Sequence, residues 1–127
     1  MEHPGDLQTS DLVFYDRSGN PVAYSDDDAH LYLYNGTPTA YFDSSRVYSF
    51  SGRPLGFFED GWIFANDGTR ALFTDAASGG PTKPVRRVQP ARSAKRALPV
   101  KYIRRVPPVR PTTSLRWSEL SGEQFFR

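Results

Sequence analysis

The chain has 127 residues, with 16 lysines and arginines, 14 aspartates and glutamates and no cysteine. This length suits one domain with appended segments, and the lack of cysteine excludes a disulfide framework and a cysteine-based metal site. The first six residues contain neither a basic nor an apolar run, so we expect no secretory signal. No stretch reaches the roughly 18 apolar residues of a membrane span. The absence of cysteine fits a reducing compartment, and we expect a cytoplasmic protein.

The net charge of +2 conceals two halves of opposite sign. Residues 1–80 contain 4 basic and 12 acidic side chains, whereas residues 81–127 contain 12 basic and 2 acidic side chains. Such an asymmetry suggests one of two arrangements. Either the basic half binds an external anionic partner, or the two halves pair within the molecule.

A four-fold repeat organises the first part of the chain. A glycine recurs every 16 or 17 residues, followed at fixed spacings by proline or arginine, an aromatic residue and an acid. Glycine supplies the positive φ of a tight hairpin turn, and proline suits the first residue of a strand, so each unit predicts a β-hairpin. The glycines are Gly19, Gly36, Gly52 and Gly68, the aromatic residues are Tyr24, Tyr41, Phe57 and Phe73, and the acids are Asp26, Asp43, Glu59 and Asp75.

Four hairpins provide about eight short strands, whose edges need protection from other chains. Because each unit has two strands, half of a propeller blade, we predict an all-β fold in which the hairpins form a small shallow barrel with pseudo-four-fold symmetry. The four repeat aromatic residues should then occupy equivalent environments. The residue before the aromatic one is small in three units (Ala23, Ala40 and Gly56), which predicts a crowded position.

The four units, the Gly61-Trp62 pair and the sequence Ala77-Ser78-Gly79-Gly80-Pro81 ahead of a basic proline-rich tail resemble the bacterial four-fold beta flower domain family. The resemblance covers residues 12–127 and implies a small pseudo-four-fold barrel of β-hairpins with no established enzymatic activity. The first turn has two extra residues and the fourth unit has Arg70 in place of proline. We therefore expect the symmetry to be weakest at the first and last hairpins.

In the tail, apolar or small residues recur at every third position from Val85 to Leu115, while the other two registers are mainly basic or prolyl. Polyproline II has three residues per turn, so this pattern places one apolar edge along an extended rod. We predict a polyproline II-like rod docked lengthwise, with an inward-facing line at Val100, Ile103, Val106 and Val109. The alternative is a disordered basic linker.

The predicted organisation is a flexible N-terminus at 1–11, a four-hairpin β domain at 12–80, a basic proline-rich tail of period three at 81–113 and an aromatic segment at 114–127. The last segment contains Leu115, Trp117, Leu120, Phe125 and Phe126. Such a cluster is too apolar to remain in water without a reason. It either folds back onto the barrel or anchors the protein to a partner or a membrane.

The sequence contains no recognisable catalytic or metal-binding motif. His3 and His30 are isolated, and no nucleophile elbow, phosphate loop or dinucleotide fingerprint is present. We therefore expect no enzymatic activity, no cofactor and no metal. The four repeat acids either face water from turns or form an acidic ring at one end of the barrel, which would suit a cation or the arginines of the tail.

The sequence favours a non-enzymatic binding or scaffolding domain of unknown biological role. Because basic residues alternate with apolar ones, the leading partner is an anionic membrane surface, which would make the protein peripheral to a membrane. Nucleic acid is the alternative, with Tyr102 or Trp117 stacking on bases, and a third possibility is a tail that only wraps its own acidic barrel. The oligomeric state stays open. The candidate binding residues are Arg86, Arg87, Arg92, Lys95, Arg96, Lys101, Arg104, Arg105 and Trp117.

Overall fold

Eight short strands form a closed antiparallel barrel in which each strand pairs with its neighbours in sequence and β8 pairs with β1. The structure is a computed structural model that describes residues 11–127, so nearly all of the predicted flexible N-terminus lies outside the described residues. The prediction of an all-β, four-hairpin barrel is confirmed. The strands are β1 (Leu12–Tyr15), β2 (Pro21–Ser25), β3 (His30–Leu33), β4 (Pro38–Asp43), β5 (Arg46–Tyr48), β6 (Pro54–Glu59), β7 (Trp62–Ala65) and β8 (Arg70–Phe73).

The repeat glycines form the turns within the four hairpins. Their φ angles lie between 84° and 92°, in the left-handed region that other residues rarely adopt. Each glycine amide donates a hydrogen bond to the carbonyl oxygen three residues earlier, at 2.9 or 3.0 Å. As predicted, proline begins the second strand of three hairpins, and Arg70 begins that of the fourth.

Aromatic rings cover the outer face of the barrel. Alternate residues of a strand point to opposite faces of the sheet, so the neighbours of these aromatic residues point into the interior. The four repeat aromatic residues are at most 2% exposed, and each stacks on a ring from the next hairpin. Their equivalence is therefore confirmed. The stacked pairs, with ring centroids 5.0 to 5.9 Å apart, are Tyr24–Tyr32, Tyr41–Tyr48, Phe57–Phe64 and Phe73–Tyr15.

The interior of the barrel is filled by the opposite faces of the strands and by the C-terminal segment. Ala23 and Ala40 are fully buried, as the predicted crowding requires. At the equivalent Gly56, an added Cβ would meet the ring of Phe125 at 3.2 Å. Phe125 and Phe126 enter this core from a 3₁₀ helix at Glu123–Phe126, so these two aromatic residues fold back onto the barrel.

The tail passes the four glycine turns in order, and its residues 82–114 form neither helix nor strand. Val100, Ile103, Val106 and Val109 are between 74% and 93% exposed, so the prediction that they face inward is wrong. The physical reason lies in the surface beneath the tail. That surface presents ring faces and carboxylates, which attract the register that contains Lys95 and Arg104 and leave the apolar register in water.

Candidate functional site

The tail docks on the barrel through a nine-residue repeat that matches the four hairpins one to one. In each unit, one tail amide donates a hydrogen bond of 2.8 or 2.9 Å to the carbonyl oxygen of a repeat glycine. Two residues earlier, a tail carbonyl packs where a Cβ on that glycine would stand. The donors are Arg87, Arg96, Arg105 and Ser114, and the packed carbonyls belong to Val85, Ala94, Ile103 and Thr112.

The first residue of each nine-residue unit places a cation over an aromatic ring of the barrel. The distances from the charged atom to the ring centroid run from 3.9 to 5.8 Å, within the range of cation–π attraction. The four pairs are Lys83–Trp62, Arg92–Tyr24, Lys101–Tyr41 and Arg110–Phe57. Of the repeat aromatic residues, Tyr24, Tyr41 and Phe57 therefore contact the tail on their outer side, whereas Phe73 contacts Trp117.

The four repeat acids form ion pairs with the tail. A cation that lies beside the turn of one hairpin reaches the acid of the preceding hairpin, so the tail connects neighbouring hairpins. The pairs are Arg86–Asp75 at 3.0 Å, Lys95–Asp26 at 2.7 Å, Arg104–Asp43 at 3.5 Å and Arg110–Glu59 at 3.2 Å. The hydrogen bond to Asp26 raises the pKa of Lys95. Within residues 11–127, no cluster of three or more acidic or histidine side chains is placed to hold a metal ion.

The remaining candidate residues separate into packed and solvent-facing groups. Arg92 pairs with Asp11 at 3.0 Å as well as covering Tyr24. Trp117 packs edge-on against Trp62 and Phe73, with ring centroids 5.5 and 6.0 Å apart, which makes it part of the barrel's outer cover.

Three arginines of the tail project away from this interface. Arg87, Arg96 and Arg105 occupy the same place in successive nine-residue units, and all three are exposed. Their side chains form no ion pair or hydrogen bond with any other residue between 11 and 127. Their backbone amides are already bound to glycine carbonyls, so each side chain extends into solvent from an anchored residue.

The exposed apolar register accompanies these arginines along the tail. Six of its large side chains are between 74% and 93% exposed. We define the outer edge of the tail as these side chains together with Arg87, Arg96 and Arg105. The six are Val85, Val88, Val100, Ile103, Val106 and Val109.

The period of three in the tail predicts an extended rod, but it does not by itself indicate the period of nine by which the tail docks on the barrel. Its signal is present in the chain, because a basic residue stands at 83, 92, 101 and 110 and another at 86, 95 and 104. The aromatic ring faces that receive these cations were recognised as strand residues only. Within residues 11–127 no helix has the length and apolar character to cross a membrane.

The sequence of the barrel and the tail matches one known family. The family model of the 4-fold beta flower protein matches residues 13–126. No curated protein and no solved structure matches the chain. The match spans the barrel, the tail and the C-terminal helix that closes the barrel interior. The chain belongs to the 4-fold beta flower family.

Proposed function

We propose that this protein is a non-enzymatic scaffold that associates with anionic lipid membranes through the outer edge of its tail. The observation that carries the proposal is the exposure of six large apolar side chains beside three arginines that have no partner within residues 11–127. Lipid headgroups with negative charge, above an apolar interior, complement both parts of such an edge.

The arginines of the outer edge are available because the carboxylates of the barrel pair with other cations of the tail. Arg86, Lys95 and Arg104 are paired with carboxylates of the barrel, whereas Arg87, Arg96 and Arg105 are not. Each basic residue near an anionic membrane surface contributes about 1 kcal/mol. Three arginines therefore contribute about 3 kcal/mol, or about a hundredfold in affinity.

The apolar side chains add a term that does not depend on charge. Val88 and Val106 are more than 90% exposed, and removing such a side chain from water stabilises an association by about 1.5–3 kcal/mol when burial is complete. Backbone hydrogen bonds to the barrel already hold the tail in place. Binding therefore costs less conformational entropy than it would for a disordered linker.

The experiment compares two triple variants in vesicle flotation at low ionic strength. R87Q/R96Q/R105Q removes the solvent-facing arginines, and R86Q/K95Q/R104Q removes the same charge from paired positions. We expect the wild type to float with vesicles that contain phosphatidylserine and not with pure phosphatidylcholine. The first variant should lose about a hundredfold in affinity and the second should lose much less.

A further pair of variants tests the apolar part of the edge. Val88→Asn combined with Val106→Asn should weaken vesicle binding while leaving the melting temperature unchanged, because both side chains face water. Absence of flotation with anionic vesicles at low salt, or equal losses in the two triple variants, would overturn the proposal. A gel shift with single-stranded or duplex DNA, in the absence of vesicle binding, would replace it with nucleic-acid binding, for which Tyr102 is 66% exposed.

A further inference from the structure

A cavity of about 530 Å³ lies between the turn of the fourth hairpin and the C-terminal segment. Its apolar walls include Leu55 on β6, Trp117 and the buried ring of Phe125. Arg53 and Arg116 contribute basic groups. This volume falls in the range of about 300–1,000 Å³ that is typical of small-molecule sites.

The cavity lies where the four-fold pattern of the tail ends. At the first three hairpins the tail continues past the glycine turn to the next hairpin, but at the fourth it turns along β8. The amide of Arg70 donates to the carbonyl oxygen of Arg116, and the amide of Ser118 donates to that of Arg70, at 2.9 and 2.8 Å. The segment that follows lines the cavity with Leu55 and Ala65.

The side chains of three arginines and of two acidic residues line the cavity. The carboxylate of Asp67 accepts hydrogen bonds from the amide and the hydroxyl of Thr69, at 3.0 and 2.6 Å. These hydrogen bonds lower the pKa of Asp67. Arg127 pairs with Glu123, and the guanidinium of Arg53 donates to the carbonyl oxygen of Arg127.

Arg116 differs from the other two arginines. Its side chain forms no hydrogen bond or ion pair with the rest of the described chain, residues 11–127, although its positive charge helps to lower the pKa of Asp67. A guanidinium of this kind beside apolar walls is suited to a carboxylate, which it can bind through two parallel hydrogen bonds.

We propose that this cavity binds a small monocarboxylate with a flat apolar body, of the arylalkanoate class. The carboxylate pairs with Arg116, while the apolar body packs against Leu55, Trp117 and Phe125. Glu119, the second carboxylate of the lining, disfavours ligands with more than one negative charge. This site is separate from the outer edge of the tail and does not depend on membrane binding.

The test is calorimetry and tryptophan fluorescence of the full chain with phenylacetate, phenethyl alcohol and phenethylamine as probes. A charge-assisted hydrogen bond contributes about 1.5–3 kcal/mol, so we expect phenylacetate to bind about tenfold to a hundredfold more tightly than the alcohol. The amine should bind more weakly than the alcohol. Quenching or a shift of tryptophan emission should accompany binding, since Trp117 lines the cavity.

Arg116→Gln should abolish the preference for the acid over the alcohol, and the matched control Arg87→Gln should retain it. Both arginines are exposed, so neither change should prevent folding. Leu120→Trp, which adds bulk at a half-exposed position of the lining, should weaken binding of both the acid and the alcohol. Equal affinity for acid and alcohol, a preference that survives in Arg116→Gln, or no binding of any probe at millimolar concentration would overturn the proposal.

Discussion

The peptide carbonyl of Ile103 packs directly on the Cα of Gly52, in the space that a Cβ would occupy. The Gly52 carbonyl in turn accepts a hydrogen bond of 2.9 Å from the amide of Arg105. Gly52 therefore serves two purposes, since it forms the turn of the third hairpin with a φ of 92° and provides a docking surface for the tail. The same arrangement recurs at the other three repeat glycines.

Gly52→Ala should release the tail from the third hairpin. The new methyl group overlaps a backbone oxygen that has no flexible side chain to move aside, and the left-handed φ adds strain of about 1–3 kcal/mol. We expect a lower melting temperature and faster tryptic cleavage at the basic residues around Ile103, followed by mass spectrometry.

Gly79→Ala is the matched control for this change. Gly79 also has a positive φ, of 72°, but no atom lies within 4 Å of the position of an added Cβ. It therefore reproduces the backbone strain without the overlap. Equal tryptic sensitivity of the tail in the two variants would show that the contact with Ile103 does not hold the tail.

Phe125→Ala should strongly destabilise the barrel from within. The ring is 3% exposed and belongs to the interior cluster, and truncating a buried phenylalanine costs about 3–5 kcal/mol. Leu120→Ala lies in the same segment with a side chain that is 49% exposed, and it should change the free energy of unfolding by less than about 0.5 kcal/mol. Urea denaturation measures both. A loss below about 1 kcal/mol at Phe125 would contradict the role of this segment in the core.

The barrel was predictable because its signals are local. Glycine, proline and aromatic residues at fixed spacing specify a turn, the start of a strand and a strand position for the ring, and these requirements do not depend on distant parts of the chain. Repetition of the same unit then limits the ways in which Tyr24, Tyr41, Phe57 and Phe73 can be arranged.

The orientation of the tail was not predictable by the same reasoning. An apolar register usually faces a core, but here the tail contacts the barrel through its backbone at Gly19, Gly36 and Gly52 and through cations over rings. Backbone contacts leave no side-chain signature in the tail. The cavity beside Arg116 could not be predicted from the sequence either, because it lies where the tail departs from its nine-residue repeat.

Lys95→Gln should lower stability slightly and reduce its dependence on salt. The Lys95 ammonium lies 2.7 Å from both carboxylate oxygens of Asp26 and 4.6 Å from the centroid of the Tyr32 ring. Exposed pairs of this kind contribute about 0.2–1 kcal/mol, and salt screens them. The control is Arg96→Gln, which removes a neighbouring cation that has no partner within residues 11–127. Melting temperatures at low and high sodium chloride should separate the variants, and an identical salt dependence would contradict the contribution of Lys95.

Alkaline pH should loosen the contact between the tail and the second hairpin. Burial raises the pKa of Tyr34 to about 12, and its hydroxyl donates a hydrogen bond of 2.9 Å to Gln89 in the tail. An unfolded tyrosine ionises near pH 10, so this stabilisation is complete below about pH 10 and is lost as the pH rises to about 12. The raised pKa of Lys95 acts in the same direction, since its stabilisation is lost above the ordinary pKa of lysine, near 10.4.

Tyr34→Phe should lose about 1 kcal/mol at neutral pH and show a shallower decline of the free energy of unfolding between about pH 10 and 12. Urea denaturation between about pH 10 and 12 measures the free energy of unfolding of both proteins. Parallel declines in the wild type and in Tyr34→Phe would exclude Tyr34 as a source of the pH dependence.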